Sequence, residues 1–222
     1  AAVMLAIVAV LALTIPKRVP DHKASYGELL KSLMTLMRRH AVLRQRALYQ
    51  GLLFAAFSLF WTAVPMELAR RFGLSQTQIA IFALVGAMGA IAAPIAGRLA
   101  DRGLTQRASL VALVLAPVAF LLGLEGPGYS VVGLAVTGVL LDFAVQMSMV
   151  LGQRAIYALD PASRGRLNAL YMTSIFVGGA IGSALASGLY EHHGWEGVIS
   201  LGAGLPVLAL VVFLIVGFKK RV

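Results

Sequence analysis

The chain has 222 residues, of which 59% are hydrophobic and 13% are charged, and its mean hydropathy is +0.86. Soluble globular domains carry about 25% charged residues, so this composition excludes a disordered chain and argues strongly against a soluble enzyme. The net charge of +10 does not indicate a nucleic-acid-binding domain, because the basic residues stand between long apolar runs. The absence of cysteine excludes disulfides and thiolate chemistry in this chain.

The chain opens on an apolar stretch, Ala1–Ile15, that is too short to cross a bilayer. At about 1.5 Å per residue, a helix of this length reaches about 22 Å, less than the ~30 Å hydrocarbon core. Lys17 and Arg18 follow the stretch, whereas a signal peptide has its basic residues before the apolar core. We therefore expect residues 1–15 to be the end of a preceding membrane helix, and the chain to be the C-terminal part of a longer protein.

Residues 16–46 are predicted to form a cytoplasmic linker that contains one amphipathic helix. Pro16 and Pro20 end the first helix, and Ser25 with Glu28 fits a capping box. Apolar side chains then recur at helical spacing, at Leu29, Leu30, Leu33, Leu36 and Met37. Such a helix either lies on the inner leaflet or packs on the membrane bundle, and the sequence leaves both open.

Six further stretches are long and apolar enough to cross a membrane as helices, since each approaches the ~20 residues that a span requires. A helix satisfies its own backbone polar groups, and the stretches lack the alternation of barrel strands. The predicted spans are Ala47–Leu68, Ile79–Leu99, Ala108–Leu124, Tyr129–Gly152, Leu167–Tyr190 and Val198–Phe218. The predicted fold class is an all-α polytopic membrane helix bundle, with six full transmembrane helices in residues 47–222 and the truncated end of another before them.

Basic residues predict the orientation of these spans. Of the 19 Lys and Arg, all except Arg70 and Arg71 fall on one side of the predicted topology. Cytoplasmic loops carry the excess of Lys and Arg, so the linker and the C-terminus are predicted to be cytoplasmic. The expected location is the inner (plasma) membrane, with the lipid bilayer as a partner and with no nucleic acid.

Asp142 is the one ionisable side chain deep inside a predicted span. It lies about 20 Å from one end of that span and about 18 Å from the other, where a charge is costly and marks function by default. Gln146, Met149 and Gln153 follow on the same helix face. The functional interpretation is a wall of a substrate or ion pathway in which Asp142 carries a coupled proton. The structural interpretation is an Asp that hydrogen-bonds a neighbouring helix.

The first span carries a second candidate wall, because Gln50, Phe54, Phe57 and Trp61 share one face. An amide among aromatic rings suits an amphipathic organic ligand. The alternative is ordinary aromatic packing, with Trp61 at the outer membrane interface. The candidate substrate cavity therefore comprises Gln50, Phe57, Trp61, Gln146, Met149 and Gln153.

Small residues predict close contacts between helices, with Gly89 and Gly97 in the second span and Gly178 and Gly182 in the fifth. Pro94 predicts a kink in the second span. The four histidines lie outside the spans, so we expect no metal site, no cofactor and no catalytic residues.

One predicted cytoplasmic turn resembles the signature loop of the major facilitator superfamily. It reads Gly97-Arg98-Leu99-Ala100-Asp101-Arg102, and Arg107 matches the basic tail. The later glycine of the pattern is displaced, as suits the degraded copy in the second half of that fold. The resemblance implies a cytoplasmic gating latch made by Gly97, Asp101, Arg102 and Arg154, with Asp101 near a helix N-terminus.

The resemblance extends over nearly the whole chain. A helix end, a basic linker and six spans look like helix six, the central loop and helices seven to twelve of the superfamily, closest to its drug and sugar efflux branch. It implies a secondary transporter that moves a small organic molecule by alternating access, with proton-coupled efflux, and an N-terminal six-helix half as a partner. The alternatives are a non-transporting scaffold or receptor of the same fold, and a membrane-embedded enzyme, for which the sequence offers no nucleophile or metal at membrane depth.

Overall fold

The computed structural model describes residues 2–14, 25–124, 126 and 129–219, and its regular structure within these ranges is helical throughout. The helices are α1 (Ala2–Thr14), α2 (Tyr26–Arg39), α3 (Ala41–Arg70), α4 (Gln76–Ala83), α5 (Ala92–Asp101), α6 (Thr105–Leu122), α7 (Val131–Tyr157) and α8 (Arg164–Lys219). Five stretches in the described part of the chain are long and apolar enough to cross a membrane. The prediction of an all-α membrane helix bundle is therefore confirmed.

The N-terminal apolar stretch is helical and exposed. Val3 and Leu13 in α1 are 72% and 88% exposed. Residues 15–24, which include the basic start of the predicted linker, lie outside the described residues, as do Lys220 and Arg221 at the C-terminus.

The amphipathic linker helix forms as predicted and packs on the bundle at one end. Ser25 and Glu28 make the capping box at the start of α2. Near its end, Leu36 is buried in a cluster with residues of α3, α7 and α8, whereas Tyr26 and Leu30 remain exposed.

Helix α3 begins at Ala41, six residues before the first predicted span at Ala47. Two arginines in the first turns of α3 have hydrogen-bond partners. The Arg44 guanidinium donates to the carbonyls of Met37 and Arg38 at 2.7 Å each, closing the turn from α2. The Arg46 guanidinium is buried and donates to the Ser109 hydroxyl at 2.7 Å. Because both guanidinium groups have hydrogen-bond partners, α3 continues through Arg44 and Arg46.

Helix α3 lies at the centre of the bundle, and its contact with α8 depends on glycine. A Cβ atom at Gly178 would lie 2.1 Å from the backbone oxygen of Gly51, and one at Gly182 would lie 2.0 Å from that of Ala55. These backbones therefore touch directly, as predicted from the spacing of the two glycines. The main core cluster joins side chains of α3, α4, α6, α7 and α8.

The second span is interrupted in its middle. A 3-10 stretch, Leu84–Ile91, joins α4 to α5 within a helical segment that runs from Gln76 to Asp101. Pro94 was expected to kink this span, and the irregular turns lie directly before it. Proline provides no N–H for the carbonyl four residues earlier and its ring crowds that carbonyl. The irregularity is therefore a tightened segment of two to three turns rather than a bend at one residue.

Helix α8 differs from the two separate spans predicted for its sequence. Its 56 residues are helical except at Gly194, where φ is 62° and ψ is −162°. Before this residue, Gly182 lies against Ala55, and the Tyr190 hydroxyl reaches Glu67, further along α3. After it the contacts return along α3, with ring-centroid distances of 6.0 Å for Trp195–Phe60 and 5.7 Å for Phe213–Tyr49. The chain thus reverses direction at one glycine, and the loop expected at residues 191–197 is absent.

Candidate functional site

Asp142 lies near the middle of α7, about 16 Å from its first residue and about 22 Å from its last. The side chain is 6% exposed. Trp61 of α3 donates its indole N–H to Oδ1 of Asp142 at 2.8 Å. This bond joins α3 to α7 at mid-depth, so Asp142 hydrogen-bonds a neighbouring helix as in the structural interpretation. The same bond also holds the carboxylate in one position. The Trp61 ring also packs against the rings of Phe57, Phe60 and Phe82, which is the aromatic packing of the alternative interpretation.

The 3-10 stretch approaches the same carboxylate. A Cβ atom at Gly89 would lie 2.3 Å from Cβ of Asp142, so this position accepts no side chain without a backbone shift. At Gly86 a Cβ atom would lie 2.8 Å from Oδ2 of Asp142 and 3.1 Å from Cζ2 of Trp61. Irregular turns and glycine together let this segment pass directly beside the acid.

These residues line a cavity of about 520 Å³ between α3, the interrupted second span, α7 and α8. Its aromatic and sulfur-bearing side chains are Phe54, Phe57, Trp61, Met149, Met172 and Phe176. Asp142 and Gln146 supply the polar side-chain oxygens. The size and the mainly apolar lining with few polar groups are typical of small-molecule sites.

Asp142 and four residues of the predicted substrate cavity line this cavity. The four are Phe57, Trp61, Gln146 and Met149. Gln50 does not line it. Its side chain is fully buried and donates to the Val145 carbonyl at 3.2 Å, while its Oε1 has no hydrogen-bond partner among the described residues. Gln153 is half-buried, nearer the end of α7, and also lies outside the lining.

Sequence reasoning missed the wall that α8 supplies. Met172 and Phe176 are spaced four residues apart, which places them on one helix face. That spacing was the available signal. Nothing in the sequence shows which neighbour this face meets, and Phe176 is 63% exposed at the cavity's edge.

The predicted latch residues gather at the ends of α5 and α7. The Arg154 guanidinium forms an ion pair with the Asp101 carboxylate. Gly97 lies beside this pair, where a Cβ atom would make an ordinary contact with the guanidinium at 3.7 Å. Arg102 caps α5 and its side chain is exposed. The expectation that Asp101 lies near a helix N-terminus is wrong, because Asp101 is the last residue of α5 and α6 begins at Thr105.

The turn from α7 to α8 is ordered by Asp160, whose carboxylate accepts from the Ala162 N–H at 3.0 Å. A hydrogen bond from Ser163, with smaller help from that N–H, holds the pKa of the exposed Asp160 carboxyl below its usual value. This turn begins the 3-10 segment Pro161–Ser163 and so fixes where α8 starts.

A second buried carboxylate lies at the opposite end of the bundle from the latch. Glu67, 3% exposed, accepts from the hydroxyls of Tyr129 and Tyr190, the latter at 2.7 Å. The Arg70 guanidinium lies 5.4 Å from the centroid of the Tyr190 ring. These contacts tie the end of α3 to the start of α7 and to α8 just before its reversal.

Apolar helices of membrane-spanning length, with a carboxylate in a cavity between them, are typical of membrane transport proteins. The sequence profile described as the Major Facilitator Superfamily matches the chain twice, over residues 1–158 and over residues 46–221. The chain belongs to this superfamily of multi-pass membrane proteins.

Curated relatives agree with this assignment. The uncharacterized transporter YgaY of Escherichia coli O157:H7 is 36% identical over 212 residues, which cover 93% of this chain and 54% of the relative. The probable transporter SCO4007 of Streptomyces coelicolor is 31% identical over 175 residues, covering 78% of this chain and 40% of the relative. An uncharacterized MFS-type transporter, YfnC of Bacillus subtilis, is 30% identical over 147 residues, covering 66% and 34%. The chain thus spans about half the length of the YgaY relative.

Proposed function

We propose that this chain is the C-terminal half of a secondary active transporter that exports a small organic molecule in exchange for protons. The observation that carries the proposal is the Asp142 carboxylate, held by Trp61 beside a cavity of about 520 Å³ at mid-depth. A transporter needs such a site halfway across the membrane, where access can switch between the two sides. The drug and sugar efflux branch of the superfamily is the closest resemblance.

Six passes support the assignment to one half of a twelve-helix transporter. A continuous helix of 56 residues would reach about 84 Å, far beyond a ~30 Å core. The reversal at Gly194 divides it into segments of 30 and 25 residues, each long enough for one pass. With α3, the interrupted second span, α6 and α7, this makes six, in residues 47–222. Coverage of about half of the relatives' length agrees with a half-transporter.

The orientation follows from the basic residues. With α8 counted as two passes, Arg70 and Arg71 fall on one side, while the remaining Lys and Arg of the chain fall on the other. The second side is therefore cytoplasmic, in the inner membrane, with the linker, the Asp101–Arg154 pair and the C-terminus. The Glu67 cluster then lies at the outer end.

Alternating access requires contacts that break in each cycle. The ion pair of Asp101 with Arg154 links α5 to α7 at the cytoplasmic end while both side chains stay largely exposed, at 65% and 45%. Exposed pairs contribute about 0.2–1 kcal/mol, so the pair holds one access state without trapping it. Gly97, one turn before Asp101, and Arg102, which caps the end of α5, are the other two residues of this latch.

The Asp142 carboxylate is suited to carry the coupled proton. It is the one acidic side chain that lines the cavity within the described residues. Exchange of a proton for substrate at one carboxylate couples the two fluxes, because the acid binds one or the other in each access state. The N-terminal half of the same protein closes the other side of the cavity.

Flux measurements on the full-length protein test the proposal. Proteoliposomes holding a pH-sensitive dye receive a panel of small organic molecules, and we expect at least one to move protons. Asp142→Asn should abolish gradient-driven flux and retain substrate exchange. Gly204→Ala is the matched control, because a Cβ atom there meets nothing within 4 Å. Unchanged gradient-driven flux in Asp142→Asn overturns proton coupling through this residue. Failure of every compound to move indicates a scaffold or receptor instead.

A further inference from the structure

A second cavity, of about 500 Å³, lies at the end of the bundle that carries the Asp101–Arg154 pair. The side chains of Arg154 and Arg164 line it with Thr105, Tyr157 and three alanines, and no Asp or Glu belongs to the described lining. We propose that this cavity binds a soluble phosphate monoester, whose doubly charged phosphate lies between the two guanidinium groups. Its lining shares no residue with that of the central cavity, so binding here does not depend on the proposed transport function.

The turn between α7 and α8 holds Arg164 at the wall of this cavity. Its Nε donates to the Tyr157 carbonyl at 3.1 Å, and the Tyr157 hydroxyl donates to Oδ1 of Asn168 at 2.9 Å. These two bonds fix the start of α8 against the end of α7. Within the described residues the Arg164 guanidinium makes no other hydrogen bond. Its two terminal nitrogens therefore remain as donors for a ligand.

Two guanidinium groups in a lining without a carboxylate favour an anion. Arginine pairs with phosphate oxygens through two parallel N–H bonds, which a sodium-sized point charge or an ammonium group cannot copy. A phosphate monoester carries nearly two negative charges above its second pKa of about 6, whereas the phosphodiester of a lipid headgroup carries one. Two cations therefore favour the monoester. A volume of about 500 Å³ also accommodates the organic part of a small molecule.

Arg154 belongs both to this cavity and to the ion pair with Asp101. Exposed pairs of this kind are weak, so an anion with two charges can draw the Arg154 guanidinium away from the Asp101 carboxylate. The ligand and Asp101 thus compete for one side chain. A bound monoester loosens the proposed latch in this way, and that consequence, unlike the binding itself, rests on the proposed function.

Two probes of nearly equal shape and different charge test the inference. They are phenyl phosphate, which is doubly charged at about pH 8, and phenyl sulfate, which is singly charged. Binding to the full-length protein in phosphatidylcholine nanodiscs is measured by equilibrium dialysis at constant ionic strength, so that screening is the same for both. We expect phenyl phosphate to bind at least about fivefold more tightly than phenyl sulfate. Equal binding of the two probes, or binding of neither, overturns the proposal.

Arg164→Gln tests whether the cavity is the site. It should weaken binding of phenyl phosphate about tenfold, because it removes hydrogen bonds to a charged group. Arg166→Gln is the matched control, since this neighbouring arginine is exposed but lies outside the lining. The control should change binding by less than about twofold. Equal losses in the two variants indicate attraction by surface charge alone and overturn the site.

Asp101→Asn tests the competition for Arg154. It should strengthen binding of phenyl phosphate by about 1.4- to fivefold, which is the range for an exposed ion pair that no longer competes. Asp160→Asn is the control, because it removes a carboxylate from the neighbouring turn without freeing Arg154. No gain in Asp101→Asn, or an equal gain in Asp160→Asn, contradicts the competition.

A lipid headgroup is the other source of a phosphate at this end of the bundle. Native mass spectrometry of protein released from phosphatidylglycerol nanodiscs measures how much lipid stays bound. Retention of phosphatidylglycerol that Arg164→Gln abolishes, together with no binding of phenyl phosphate, overturns the soluble ligand. Binding of phenyl phosphate that depends on Arg164, with no flux of any compound in the transport panel, supports this site while the proposed function fails.

Discussion

The pairing of Asp101 with Arg154 joins two helix ends through side chains that water reaches. Asp101 is the last residue of α5, where the helix dipole disfavours a carboxylate. The pairing with Arg154 offsets that disadvantage. The net contribution is therefore small, which suits the proposed latch that opens and closes in each transport cycle.

We expect Asp101→Asn to change the ratio of the two access states by about 1.4- to fivefold, as follows from an exposed pair of about 0.2–1 kcal/mol. Flux should fall by a similar factor while the amount of folded protein is unchanged. Initial rates of uptake, normalised to purified protein, measure the effect. The reversed pair, Asp101→Arg with Arg154→Asp, should recover part of the flux. Lys31→Ala, an exposed basic residue on the same proposed side and outside the signature loop, is the control. An equal loss of flux there would remove the argument for a specific latch.

The site residues illustrate what side-chain pattern can and cannot predict. The sequence alone identified Asp142 because one carboxylate stood in a long apolar run, and it placed Trp61 on a candidate wall from helical spacing. It did not predict the hydrogen bond between them, because rotation of one helix against another is set by packing. For the same reason Gln50, which shares a helix face with Trp61, turns out to face α7 and not the cavity.

At the scale of elements, glycine decides how closely helices approach. Gly178 and Gly182 bring α8 onto the backbone of α3, and Gly89 brings the 3-10 stretch onto α7. The sequence predicted close contacts at these glycines from their spacing. It did not predict the 3-10 geometry of Leu84–Ile91, because Gly86, Gly89 and Pro94 weaken a regular helix without specifying the geometry that replaces it.

We expect Gly182→Ala to lower the stability of the bundle by about 1–3 kcal/mol, because its Cβ atom would overlap the Ala55 carbonyl and α8 would have to move away. Thermal unfolding of the purified protein, followed by size-exclusion chromatography, measures the change. Gly188→Ala is the matched control in the same helix, since nothing lies within 4 Å of its Cβ position. That control should be neutral or slightly stabilising, because alanine is a better helix former than glycine. Equal melting temperatures for the two variants would contradict a direct backbone contact.

At the scale of the whole molecule, hydropathy and charge predicted the bundle well and predicted connections poorly. Long apolar runs must become helices in a membrane, so the class of fold follows from composition. Helix ends follow from individual contacts, such as those of Arg44 and Arg46, and α3 begins six residues before the predicted span. The cavity needed the tertiary structure, because its walls come from segments far apart in sequence.

We expect single cysteines at Thr35 and His192 to be labelled from opposite sides of the membrane. Both side chains are exposed, and the chain itself contains no cysteine. In intact cells that express a cysteine-free full-length background, a membrane-impermeant maleimide should label His192→Cys and not Thr35→Cys. Permeabilised cells should label both, which shows that each site is reactive. Labelling of Thr35→Cys in intact cells would overturn the proposed orientation.

The reversal at Gly194 has a consequence for how the chain enters the bilayer. With a single non-helical residue at the turn, the two arms of α8 have no slack by which one could wait outside while the other inserts. On the proposed count of six passes, we expect the two arms to enter the bilayer together as a helical hairpin.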